Sequence, residues 1–205
     1  MGIGNHIDQI HIINFGLVKR YWDVNTHAHF PYTINNSLTG TAAFASINNH
    51  QGLEQSHCND LESLAYVLLY FLHGSLPWHS PGHTMNNVQK QQLKSMANSK
   101  VKSHPSPLCK AYPTEFMLFL NYCHALQYDE MPDYQYLWKL FSDLLVCEGH
   151  RHNYMFDWCL MSASPGAAVV STDMKATIHS CKKQVTSNRV YVSLLYYCIY
   201  LIMTF

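Results

Sequence analysis

Asn59-Asp60-Leu61-Glu62-Ser63-Leu64-Ala65-Tyr66-Val67-Leu68-Leu69-Tyr70-Phe71-Leu72, closed by His73-Gly74 with Pro77 shortly beyond, decides the fold class. Asn59 and Glu62 are spaced as a capping pair, and the run from Asp60 to Leu72 predicts a helix stopped by Gly74. It is apolar on nearly every face, so it belongs in the middle of a core. Around it the same period recurs. Residues 85–98 read as a polar surface helix with Lys90 and Lys94 one turn apart. Pro113-Thr114-Glu115 opens a helix through Leu126, with Phe116, Leu120, Cys123 and His124 spaced for one face. Asp133 caps another, in which Tyr134, Leu137, Leu140, Phe141, Leu144 and Leu145 repeat at intervals of three and four. The expected fold is mainly α.

Upstream the pattern changes. Ile10-His11-Ile12-Ile13-Asn14-Phe15-Gly16-Leu17-Val18 is a β-branched run broken by Asn-x-Gly, which suits a strand entering a tight turn. A short β-hairpin is expected near residues 10–18. Residues 19–58 hold Asn, Thr, His, Pro and Gly without sustained period and read as an ordered, irregular loop, and loops of this length are usually functional. Residues 162–189 lose all periodicity. The chain closes on 190–205, which carry no formal charge.

The chain has 205 residues and is 48% apolar, enough for a packed core. Lys plus Arg and Asp plus Glu each total 13, so no global field favours nucleic acid or an anionic membrane. Seven cysteines, an odd number without a Cys-x-x-Cys pair, and an opening that is neither basic nor apolar, read as a reduced intracellular protein, cytoplasmic or nuclear.

Several words stand in one order: Leu38-Thr39-Gly40-Thr41, Ala45-Ser46-Ile47-Asn48, Gly52-Leu53-Glu54-Gln55-Ser56, Asp60-Leu61-Glu62-Ser63-Leu64, Gly74-Ser75-Leu76-Pro77-Trp78, Leu108-Cys109-Lys110, Pro132-Asp133-Tyr134 and Phe156-Asp157-Trp158. Together with Ile13-Asn14-Phe15-Gly16-Leu17 they resemble the C-terminal lobe of the casein kinase 1 family of serine/threonine protein kinases, over residues 1–161. The Ser-Ile-Asn word is the family's own, where most kinases have Ala-Pro-Glu. The resemblance implies a partial kinase fold lacking the N-terminal lobe, with 162–189 a linker and 190–205 an apolar tail. Asn14 then stands at the position of the magnesium-binding aspartate, where a neutral amide is a weaker ligand for a hard cation.

The resemblance also implies that the catalytic loop with its base, the glycine-rich loop and the phosphate-pairing lysine lie outside this chain. Thr39, Gly40, Thr41 and Ser46 match the substrate-positioning activation segment. Asp60 matches the residue that anchors the catalytic loop. His57 and Cys58 replace two anion-binding arginines, and Ala43 and Gln127 replace two more. No cofactor is expected, although the family uses magnesium and ATP. The leading expectation is a truncated, degenerate homologue, a pseudokinase without phosphotransferase activity as this chain, whose ATP binding is lost. Its alternatives are a non-catalytic module docking kinase partners or substrates through residues 27–58 and the polar surface helix, and a fragment of a longer active kinase.

Other constellations are weaker. Cys147, His150, His152, Asp157 and Cys159 are zinc-type ligands, but their spacing fits no familiar module. His27 and His29 read as a loop face. Residues 190–205 fall just short of the roughly 17 to 25 residues of a spanning helix. A tail anchor in that segment and a stretch not under selection over residues 162–205 are comparable readings.

Overall fold

The computed structural model describes residues 15–78 and 89–149, and these are mainly helical. They fall into two compact units, one within residues 15–133 and one containing residues 134–149. The first is built on α2 (His57–His73), which packs along α5 (Thr114–Ala125). Leu61, Leu64, Ala65, Leu68 and Leu69 of α2 meet a stripe of Phe116, Phe119, Leu120 and Cys123 in a shared core. His124, expected on that stripe, is exposed instead.

The central helix starts earlier than its apolar pattern. Its N-cap is Ser56, and Asn59 lies buried inside the first turn. Asn59 and Glu62 therefore do not form the expected capping pair. The hydroxyl of Ser56 donates to Tyr128 O at 2.5 Å rather than capping the helix, so a long-range bond fixes the start that local pattern could not reveal. At the other end Gly74 takes the left-handed conformation (φ 75°) and returns its N–H to Tyr70 O at 2.8 Å, as its place in the sequence predicts. Tyr112 Oη then donates to Leu72 O, one of the carbonyls a helix end leaves unpaired, at 2.7 Å. His73 Nε2 lies 2.7 Å from Leu108 O, which assigns the ring proton to that nitrogen.

The polar helix is α3 (Gln89–Lys102). It continues past the expected end at 98 because nothing breaks it until Pro105, which holds His104 in extended backbone. That proline opens the short α4 (Pro105–Cys109), which was not expected, from the first helical position. The expected residues 85–88 lie outside the described residues.

The hairpin expected near residues 10–18 lies partly outside the described residues. Phe15–Leu17 form a 3-10 turn, and β1 (Trp22–Asp23) pairs antiparallel with β2 (Ala28–His29). Asp23 Oδ1 accepts the N–H of Asn25 at 2.9 Å, and His27 adopts φ 50°, so the turn is made by an Asx bond and a left-handed residue. The long loop is otherwise irregular, as expected, apart from α1 (Ile47–His50). Gly52 is required there. A Cβ on it would meet Asn36 O at 2.9 Å, and its φ of 74° disfavours any side chain.

In the second unit α6 (Tyr134–Cys147) buries Leu137, Phe141, Leu144 and Leu145, at spacings of four, three and one. Lys139 and Asp143 pair on its exposed side at 2.9 Å. Among the described residues no helix is long and apolar enough to cross a membrane. Residues 150–205, with the proposed linker and tail, lie outside the description.

Candidate functional site

Ser46 begins the site. Its hydroxyl accepts the N–H of Asn49, capping α1, and donates to Gln55 Oε1, each at 3.1 Å. Asn49 then uses its amide as a clamp. It accepts the N–H of Thr39 at 3.1 Å and donates to Thr39 O at 2.8 Å. This holds Thr39 beside Gly40, whose φ of 83° turns the chain into Thr41. Thr41 O in turn accepts the N–H groups of Phe44 and Ala45. The segment from Thr39 to Gln55 is thus closed on itself by short-range polar bonds.

Two buried charges fasten it to the helices. Glu62 Oε1 accepts the N–H of Ile47 at 3.1 Å and the phenol of Tyr66 at 2.6 Å, with His124 Nε2 at 3.5 Å. Burial, and then the adjoining carboxylate, hold the Tyr66 phenol protonated well above its usual range. Lys100, on α3, is 1% exposed. Its ammonium donates to Ala42 O at 2.9 Å and to Ala45 O at 2.6 Å, and lies 5.1 Å and 5.4 Å from the ring centres of Tyr66 and Trp78. Trp78 Nε1 donates to the intervening Ala43 O at 2.8 Å. The carbonyls of Ala42, Ala43 and Ala45 are thereby each met by a side chain from outside the loop.

His50 completes the arrangement. Its Nε2 lies 3.1 Å from Lys100 Nζ and 3.0 Å from Ala42 O. With Lys100 an ammonium, Nε2 accepts its third proton. With Lys100 a neutral amine, Nε2 carries hydrogen and donates to the amine or to the carbonyl. Burial pulls the Lys100 pKa down to about 8, and burial with the lysine charge lowers that of His50. Both protonation states leave every group satisfied.

The closed segment and the first turns of α2 enclose a cavity of about 810 Å³. Thr39, Gly40, Thr41, Ser46, His57 and Asp60 all line it, so six of the residues singled out in the sequence come together. Cys58 does not share their setting. It is buried, its thiol 3.4 Å from Ser56 Oγ and pushed up in pKa by burial. His57 is held neutral to lower pH by burial and by His29. Across the loop Lys19 meets Glu54 at 2.9 Å, and the Thr33 hydroxyl at 2.6 Å, followed by Lys19, lowers the carboxyl pKa of Glu54.

Asn14, the position of the expected metal ligand, lies outside the described residues. So do His150, His152, Asp157 and Cys159, while Cys147 is exposed. Among the described residues no group of three or more His, Cys, Asp or Glu side chains is placed to hold a metal ion.

Sequence reading missed Lys100 and Asn49, and took Asn59 and Glu62 only for a capping pair. For Lys100 a signal existed. Leu93, Met96, Ala97 and Lys100 recur at helical spacing, so the lysine stands on the less polar side of α3. No protein-family model matches the chain.

Proposed function

We propose that this chain is a degenerate casein kinase 1-like C-terminal lobe, a pseudokinase that binds protein and has no phosphotransferase activity of its own. One observation carries the binding half. The Thr39–Gln55 segment is locked by bonds internal to it and by Glu62 and Lys100, and it frames an open cavity that needs no further ordering to receive a guest. The words from Leu38 to Trp78 support the family assignment, since Ser46-Ile47-Asn48 opens α1 and Asp60-Leu61-Glu62 lies within the first two turns of the central helix.

The substitutions support the loss of catalysis. Phosphoryl transfer needs a carboxylate to hold magnesium against the phosphates, and Asn14 offers only an amide. His57, Cys58, Ala43 and Gln127 remove positive charge where the resembled family has arginine, and Cys58 and Ala43 are buried as apolar residues. The test is phosphate incorporation into casein by the purified full chain with magnesium and radiolabelled ATP. No more label than in a heat-treated control is expected, and the Asn14→Asp variant is expected to behave the same way. Incorporation that disappears on heating overturns the proposal.

A further inference from the structure

The cavity framed by residues 39–60 has an unbalanced charge. Of the charged residues lining it among those described, Lys19 and Glu54 neutralise one another at 2.9 Å. His57 is biased to its neutral form. Asp60 remains. No hydrogen bond or ion pair meets its carboxylate among the described residues, although the side chain is open to solvent. Beside it Asn59 is 2% exposed, and neither its amide oxygen nor its amide nitrogen has a partner among the described residues. Burying an amide without partners is costly, and its donor and acceptor complement the C=O and N–H of a peptide unit.

Resting on the binding reading above, we infer that this cavity takes an extended peptide segment carrying an arginine or lysine, whose cation pairs with Asp60. The lining fits such a guest. The hydroxyls of Thr41 and Ser63 on its lining offer hydrogen bonds to backbone, and the exposed Leu17 and Val18 supply apolar wall that a bound segment covers. A volume of about 810 Å³ holds several residues. Although Asp60 keeps contact with solvent, the protein atoms crowded around it desolvate its carboxylate and raise its pKa. A carboxylate so placed gains more from a cation than one in bulk water does. An acidic guest meets the same carboxylate as a like charge and is rejected. The inference thus runs against the anion recognition that the resembled family's arginines imply.

Three degenerate decapeptide libraries, blocked at both ends and fixed at one central position as arginine, glutamine or glutamate, are passed over the immobilised full chain. Retained peptide is measured by mass spectrometry. The arginine library is expected to be retained about tenfold more than the glutamate library, the equivalent of roughly 1.4 kcal/mol, and Asp60→Asn is expected to bring the ratio to within about twofold. On the unaltered chain, the arginine preference is expected to fade on acidification at a higher pH than an ordinary aspartate requires. Equal retention of all three libraries overturns the inference while leaving the binding reading in place. Retention of none overturns both. A preference that survives in Asp60→Asn also overturns the inference, because the charge then comes from elsewhere.

Discussion

Glu62→Ala lowers the unfolding free energy of the full chain by roughly 3 kcal/mol, read from the denaturation midpoint at constant slope. The carboxylate has two buried donors to lose, the Ile47 N–H at 3.1 Å and the Tyr66 phenol at 2.6 Å. Alanine offers neither an acceptor, and Tyr66 is 1% exposed, so water cannot replace it. Each stranded donor costs about 1–3 kcal/mol. Glu62→Gln keeps an acceptor in the same place and is expected to cost about 1 kcal/mol. If both substitutions cost the same, the carboxylate is not acting through these bonds.

Lys100→Ala is expected to cost roughly 2–3 kcal/mol at neutral pH. Its buried stem loses about 0.8 kcal/mol for each of three methylenes, and Ala42 O and Ala45 O lose a donor at about 1–2 kcal/mol each. Release of a desolvated ammonium returns about 3 kcal/mol, from the pKa drop. Lys100→Met keeps the stem beneath Tyr66 and Trp78, and near pH 7 costs about 1 kcal/mol.

The pH dependence separates this account from simple packing. The folded pKa of Lys100 is about 8, against an ordinary 10.5. Between those values the unfolded chain holds a proton that the folded chain has released, so stability contributed by this group rises with pH. The gap between the unaltered chain and Lys100→Met is therefore expected to widen from pH 8 towards 10.5, by at most about 3 kcal/mol. The difference is the proper readout. Cys58, Cys109, Cys123 and Tyr66 have raised pKa values in the fold, so each loses stability as pH climbs past its ordinary value and pulls the total the other way. A gap that stays flat from pH 8 to 10.5 contradicts the assignment of Lys100 as a buried, depressed cation.

Local pattern revealed the helices well and their partners poorly. The body of α2 and its Gly74 stop were legible because apolar spacing and a left-handed residue are local signals. So was the buried stripe of α6. The start of α2 was not, since Ser56 reaches across to Tyr128, 72 positions away. The pair β1 and β2 was not legible for the opposite reason, since strands of two residues each are too short to show alternation. At the site, Thr39, Thr41, Ser46 and Asp60 could be picked from words in the sequence, and they share one cavity. The groups that hold it together could not be picked so easily. Glu62 looked like a cap and Lys100 fell past the expected end of the polar helix, and a single polar residue gives no sign of a partner 15 or 55 positions away.

Amide hydrogen exchange on the full chain at neutral pH tests the central claim, that residues 39–55 form a fixed frame rather than a mobile loop. The account predicts that the amides of Ile47 and Asn49, bonded to Glu62 and Ser46, exchange as slowly as those in the body of α2. It predicts further that both become fast in Glu62→Ala while α2 stays protected. Exchange of these amides in the unaltered chain as fast as the exposed stretch from Val24 to Thr26 would contradict it.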